Sequence, residues 1–236
     1  MNLTGGLHWH WRAWRARARW DSARSDIEKW LLSQTLESDH LILIGASAGW
    51  MMSDAWLSRF KTVDTWDIDP MAAMLFKWRH AHALRQQGIQ LQCHTGDAIT
   101  LLPQLLNEQP KAIFFFDNVL GQIRFQTHTI AQAEKRLQAI THTLRGRTWG
   151  SIHDRMSGPV ERAWMNTPLP GAHTVMSGDK NEGTQTQQWL GQLGAKSPWL
   201  DHLTGGIFAP GTAITNIAWP MQAAYWHWLQ AGWVRP

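Results

Sequence analysis

Disulfide chemistry has no foothold in this chain, because its 236 residues contain a single cysteine, Cys93. A lone thiol inside an apolar run fits a reducing compartment. Twelve histidines are present, yet no His/Cys spacing resembles a structural zinc site, and no metal is expected. No apolar run reaches the length of about 18 residues that a membrane span needs, and the first residues lack an apolar signal core. A cytoplasmic location without membrane attachment is therefore expected. Charge is sparse: 22 Lys and Arg against 18 Asp and Glu leave a formal net charge of +4, which argues against a dedicated polyanion binder. Internal repeats and low-complexity tracts are missing too. What the chain has in abundance is tryptophan, 17 residues of it.

The most informative stretch is Leu41 to Asp54. Leu41, Ile42, Leu43 and Ile44 show no polar alternation, which suits a central parallel strand buried on both faces. They run into Gly45-Ala46-Ser47-Ala48-Gly49 and then into a pattern read as a helix of about ten residues. Glycines at such a turn allow close backbone approach, and a following helix would aim its free N–H groups at a ligand. The next strand, Thr62 to Asp67, ends in Asp67-Ile68-Asp69-Pro70. Asp67 falls about 20 residues after the glycine turn, where a nucleotide-binding βαβ unit places an acid against ribose hydroxyls. A third apolar run, Ile89 to Cys93, leads into His94-Thr95-Gly96-Asp97-Ala98. A fourth, Ala112 to Phe116, ends in Asp117-Asn118. Four strands thus end in polar residues at the edge where open α/β sheets bind ligands.

This order resembles the class I S-adenosylmethionine-dependent methyltransferases over roughly residues 41–159. The resemblance implies a Rossmann-like, doubly wound α/β fold with a mainly parallel seven-stranded sheet. It implies S-adenosylmethionine as cofactor, with Gly45, Ala46, Ser47 and Gly49 along its methionine and ribose part. Asp67 and Ile68 would bind the ribose, Gly96, Asp97 and Ala98 the adenine, and Asp117 and Asn118 would lie beside the methyl donor. Ser47 stands where the family has a middle glycine, and Leu43 where it has an acid. The nicotinamide fingerprint Gly-x-Gly-x-x-Gly fits less well, and the Asn/Asp-Pro-Pro-Tyr of nucleobase and glutamine methyltransferases is missing.

Several groups bear on catalysis. Asp117 is a candidate base or amine-orienting acid, and Asn118 and Gln122 are candidates to position substrate; equally, Asp117 and Asn118 cap a helix beginning near Ile123. His153 follows the fifth strand and titrates near neutrality when unperturbed, with Asp154 beside it as orienting partner. Asp154, Arg155 and Trp164 are further substrate-binding candidates. Trp189, Trp199 and His202 are pocket candidates in a loop-rich insert around residues 160–204.

Residues 1–37 read as an N-terminal helical cap, and 38–236 as the Rossmann-like domain. The segment Trp9 to Trp20 interleaves tryptophans and arginines. One reading is an arm that grips phosphates and stacks bases; the other is a helix packing its tryptophans inward with snorkelling arginines outside. Ser25 is expected to cap a helix leading to the first strand. The segments Ala213–Trp219 and Ala224–Val234 suit a closing antiparallel hairpin, although the second also reads as a helix. The expected activity is methyl transfer to a small molecule, releasing S-adenosylhomocysteine. The alternatives are an RNA or protein methyltransferase, an aminopropyl or aminocarboxypropyl transferase, and a non-catalytic cofactor-binding protein.

Overall fold

A computed structural model describes residues 6–161, 169–196 and 198–236. Its centre is β1 (His40–Ile44) beside β4 (Ile113–Asp117), each apolar on both faces. Leu41, Leu43, Ile113 and Phe115 join the core on one side of the sheet, and Ile42, Ile44, Phe114 and Phe116 the core on the other. Period-two alternation inside an unbroken apolar run is what a strand covered on both faces requires. β2 (Thr62–Asp67) and β3 (Gln90–Thr95) extend the sheet in parallel on one side, and β5 (Trp149–Pro159) on the other. Beyond β5 the ladders turn antiparallel: β9 (Tyr225–Val234) pairs with β5, β8 (Ala213–Trp219) with β9, and β6 (His173–Met176) with β8. A two-residue strand, β7 (Leu200–Asp201), also pairs with β5.

The strand order is β3-β2-β1-β4-β5-β9-β8-β6 with β7 off the path. This is the expected Rossmann-like arrangement with nine strands among the described residues rather than seven. The additional pair, β6 and β7, forms inside the stretch expected to be loop. Parallel pairing is confined to the β3-to-β5 half.

Helices cover both faces. On one lie α1 (Gly6–Ser33), α2 (Asp54–Leu57) and α3 (Pro70–Gln86); on the other lie α4 (Leu102–Glu108) and α6 (Ile130–Thr143). A short α5 (Val119–Gln122) and a 3-10 turn (Ile123–Gln126) follow β4, and α7 (Glu182–Gln192) lies in the insert. No described helix is long and apolar enough to cross a membrane.

Two local readings are corrected. Ser25 caps nothing, because α1 runs through it without a break; no Gly or Pro interrupts Leu7–Ser33, and the alanines between are strong helix formers. The stripe His10, Ala13, Ala16, Trp20, Ala23, Ile27, Trp30 and Leu31 is buried, while Trp11 and Trp14 remain about half exposed beneath the Arg15 and Arg17 guanidinium groups. The arginines also differ in role. Arg19 donates to the carbonyls of Pro220 and Met221, both at 3.0 Å, and Trp20 donates to Met221 at 3.3 Å.

The second correction concerns the glycine turn, which no ten-residue helix follows. Gly49 adopts φ +64° and the chain makes successive turns, Gly49 N–H to Ala46 O at 2.7 Å and Met52 N–H to Gly49 O at 3.1 Å. Only then does Ser53 cap α2, its Oγ accepting from Trp56 N–H. The free N–H groups of α2 consequently lie away from the turn.

Candidate active site

At the carboxyl ends of β1 to β4, a cleft is lined by Gly45, Ser47, Trp66, Asp67, Ile68, Gly96, Asp97, Ala98, Asp117, Asn118, Gln122 and Asp154. Trp9 of α1 and Trp219, Met221 and His227 of the β8–β9 hairpin close it. The cleft lies where the order reverses between β1 and β4, the switch point at which open α/β sheets take ligands.

Gly45 makes the turn possible. It has φ +77°, and a β-carbon there would run into the Val119 side chain and lie 2.8 Å from the Asp117 carbonyl. Ser47 follows in the left-handed region, φ 48°, and its N–H donates to Asp67 Oδ2 at 2.7 Å. Asp67 Oδ1 accepts the Asp69 N–H at 2.8 Å. Burial pushes the Asp67 carboxyl above its ordinary range, and the two N–H groups pull it partly back. Trp9 Nε1–H donates to Ser47 Oγ at 3.2 Å, fixing α1 over the turn. Asp97 holds its own loop, accepting from the Ile99 and Thr100 N–H groups and from the Thr100 hydroxyl. Asp117, half-buried at the end of β4 and close to Asp67, is pushed up to about 8 by desolvation and that neighbouring charge, which favours its protonated form at neutral pH.

Asp154 is the hub of the other half. It is wholly buried, yet Asn118 Nδ2 donates to Oδ2 at 3.0 Å, Gln122 Nε2 to Oδ2 at 3.3 Å and His227 Nδ1 to Oδ1 at 2.7 Å. Asn118 Oδ1 in turn accepts the Asp154 N–H at 2.9 Å. Burial alone would raise this carboxyl; the neighbouring His227 and His202 rings and these hydrogen bonds hold it down to about 2. Gly121 brings α5 this close: a β-carbon would lie 2.9 Å from the Asp154 nitrogen and 3.0 Å from its Cβ. Gly121→Ala is expected to cost about 1–3 kcal/mol by overpacking, lowering Tm by about 2–4 °C per kcal/mol in a chain of this size. Thermal denaturation followed by circular dichroism measures this.

Asp154, His202 and His227 place ligand-type atoms within 4.8 Å of one another. Both rings have already committed their Nδ1 hydrogens, His202 to the Gly121 carbonyl at 2.9 Å and His227 to Asp154. His202 Nε2 then accepts from Ser157 Oγ at 2.9 Å. The cluster is satisfied as a hydrogen-bond network.

The structure sorts the expected site residues. Gly45, Ser47, Asp67, Ile68, Gly96, Asp97, Ala98, Asp117, Asn118, Gln122 and Asp154 meet at the cleft. Ala46 and Gly49 do not. Ala46 is core, and Gly49 packs against the buried His80, whose ring a β-carbon would strike. His153 is also removed. Alternation along β5 turns Asp154 to the cleft and His153 to the opposite face, where it stacks on Phe208 with centroids 5.3 Å apart and meets Ser151 Oγ at 2.9 Å. Burial drives its pKa down to about 3, so it stays neutral and is no partner of Asp154.

Arg155 is displaced by a bulge. The β5–β9 register shifts between Asp154 and Met156, and the Arg155 guanidinium reaches Asp201 at 2.6 Å instead of the cleft. Trp189 and Trp199 belong to a separate cluster under the insert. Trp164 lies outside the described residues. Sequence reasoning missed Trp9, Trp66, Trp219, Met221 and His227 as cleft walls. A strand assignment for Tyr225–Val234 was the available signal for His227.

No family model matches the chain, and no curated protein matches it. Methyltransferases are among the solved structures of similar shape. Magnesium protoporphyrin IX methyltransferase (ChlM) from Synechocystis PCC 6803, with bound S-adenosylhomocysteine, is 15% identical over 94% of this chain and 85% of that one, TM-score 0.47. N-methyltransferase NodS from Bradyrhizobium japonicum WM9, in complex with S-adenosylhomocysteine, is 10% identical over 89% of this chain and 85% of that one, TM-score 0.45. The O-methyltransferase from Bacillus cereus, in complex with the same compound, is 13% identical over 92% and 80%, TM-score 0.39.

Proposed function

We propose that the protein is an S-adenosylmethionine-dependent methyltransferase acting on a small molecule and releasing S-adenosylhomocysteine. The observation that carries this reading is the charge of the cleft. Asp67, Asp97 and Asp154 line it, with Asp117 as a carboxyl that a nearby cation would ionise, and among the described residues no Lys or Arg does. A dinucleotide brings two phosphates and needs cations or an aimed helix N-terminus; here α2 begins too far along the chain to supply one. The positively charged sulfonium of S-adenosylmethionine suits a carboxylate-lined cleft. Each Asp67 oxygen spends one acceptor site on a backbone N–H and keeps a second for a ribose hydroxyl. When bound, the cofactor supplies an electrophilic methyl group. The chain's own part is alignment, which for an in-line displacement supplies most of the acceleration.

Calorimetric titration with S-adenosylmethionine, S-adenosylhomocysteine and NAD tests the proposal. Micromolar binding of the two sulfur nucleosides without NAD binding is expected; preference for NAD overturns it. The pH dependence gives a second check. Asp117 is protonated below about 8 in the free protein, and a sulfonium nearby favours the carboxylate. The ratio of S-adenosylmethionine to S-adenosylhomocysteine affinity should therefore rise by up to about tenfold per pH unit below 8 and level off above. Unfolded, the same carboxyl ionises near 3.8. The folded protein thus holds a proton the unfolded chain has lost, and Asp117 makes the ligand-free fold less stable as pH rises from about 4 to 8.

A second reading, RNA as methyl acceptor, is favoured by the exposed face of α1, where Trp11 and Trp14 alternate with Arg12, Arg15 and Arg17. Retention on RNA that weakens steeply with salt would support it.

A further inference from the structure

We infer that His227 takes the proton from the methyl acceptor, and that this acceptor is an uncharged aromatic hydroxyl; the inference rests on the methyltransferase reading above. Three observations meet at one ring. His227 lines the cleft. Its Nδ1–H is given to the buried Asp154 carboxylate at 2.7 Å, which fixes the tautomer and leaves Nε2 as a lone-pair acceptor on the far edge of the ring, with no partner among the described residues. Trp219 stands edge-on to the ring with centroids 5.1 Å apart, holding its plane. A histidine that lines a ligand cleft, oriented by a buried carboxylate and with its other nitrogen unpartnered among the described residues, is built as a base.

The surroundings select the acceptor. Trp9, Trp219 and Met221 give this part of the cleft flat, polarisable walls, which favour a planar ring. An anionic acceptor would face the buried Asp154 carboxylate with no Lys or Arg among the described lining residues to meet it. An ammonium has no lone pair with which to attack, and Asp154, beside the base, already accepts from Asn118 and Gln122 at Oδ2 and from His227 at Oδ1. What remains is a neutral ring nucleophile whose proton must leave as it attacks. In the reaction the hydroxyl oxygen forms the new O–CH3 bond and the S–CH3 bond breaks with its electron pair left on sulfur. The hydroxyl proton passes to His227 Nε2 and from there to water. Asp154 is a positioning residue, and His227 the catalytic one.

The test uses the full chain with 4-nitrophenol, whose phenolate is coloured and whose phenol is not. Saturated with S-adenosylhomocysteine, at a pH below the probe's own pKa, the wild-type protein should bind 4-nitrophenol and display the phenolate absorption. His227→Gln should bind S-adenosylhomocysteine as tightly but show only the phenol spectrum. With S-adenosylmethionine it should methylate the probe at least about 100-fold more slowly than wild type, the range general-base catalysis supplies. His227→Phe should behave as His227→Gln does. The inference is overturned if bound 4-nitrophenol stays in its phenol form on the wild type, or if His227→Gln gives the wild-type spectrum and rate. Failure to bind 4-nitrophenol while S-adenosylhomocysteine binds overturns the acceptor class and leaves the methyltransferase reading standing. Failure to bind S-adenosylhomocysteine overturns both.

Discussion

Asp67→Ala is expected to weaken binding of S-adenosylmethionine and S-adenosylhomocysteine alike by at least about 100-fold. Two hydrogen bonds from a ribose diol to one carboxylate contribute about 1.5–3 kcal/mol each, and about 1.4 kcal/mol is tenfold in affinity. The substitution also removes the acceptor that holds Ser47 N–H and Asp69 N–H, so the turn that lines the cleft loses its anchor. Asp67→Asn separates the two effects. Its single oxygen can accept from one of those N–H groups, and its amide is neutral, so a loss smaller than that of alanine is expected. Calorimetry on both variants, with circular dichroism to confirm the fold, reads the result. Unchanged affinity in Asp67→Ala would remove the basis for placing a ribose here.

The largest effect on stability is expected at Trp56. This side chain is fully buried, edge-on to Phe60 with centroids 5.4 Å apart and 5.1 Å from Phe115 in the central strand β4. Trp56→Ala should cost about 3–5 kcal/mol through lost burial and the cavity left behind, and so lower Tm by roughly 6–20 °C. Trp56→Phe tests a different point. The indole Nε1 is buried without a hydrogen-bond partner, an arrangement that costs about 1–3 kcal/mol. Phenylalanine removes that donor while keeping most of the aromatic contact, so the two changes should offset each other to within about 1 kcal/mol. If Trp56→Phe destabilises as much as Trp56→Ala, shape alone governs the site and the unpaired N–H is of no consequence. Trp189, Trp226 and Trp233 also bury unpartnered indole nitrogens, and the same comparison applies to them.

The half of the site built on β1 to β4 was legible because each strand delivers its residues in one short, local piece. An apolar run buried on both faces cannot hide its period, and the polar residues that end it fall at the sheet's ligand-binding edge. Asp67, Asp97 and Asp117 follow directly. The other half is assembled by pairing between distant segments. His227 meets Asp154 across 73 positions, through an antiparallel register with a bulge at Arg155. No local pattern states which of two neighbours, His153 or Asp154, faces the cleft; that depends on which face of β5 the helices cover. The glycine turn misled for a related reason. Its apolar residues Trp50, Met51 and Met52 have helical spacing but pack as turns, because the left-handed Gly49 and the Ser53 cap delay the helix.

The docking of α1 has a consequence for how the chain is made. Arg19 reaches the Pro220 carbonyl over 201 positions, Trp20 leans on Trp219, and Trp30 on Trp233. The helix therefore packs against a hairpin synthesised some 201 positions after it. At roughly 5–20 residues per second, its buried stripe waits on the order of ten to forty seconds for a surface to lie on. Through that interval the four parallel strands beside β1 can already pair, while the cleft still lacks Trp9 on one wall and Trp219 and His227 on the other. The His227 side of the pocket comes into being only with the β8–β9 hairpin, in the same event that gives α1 its place.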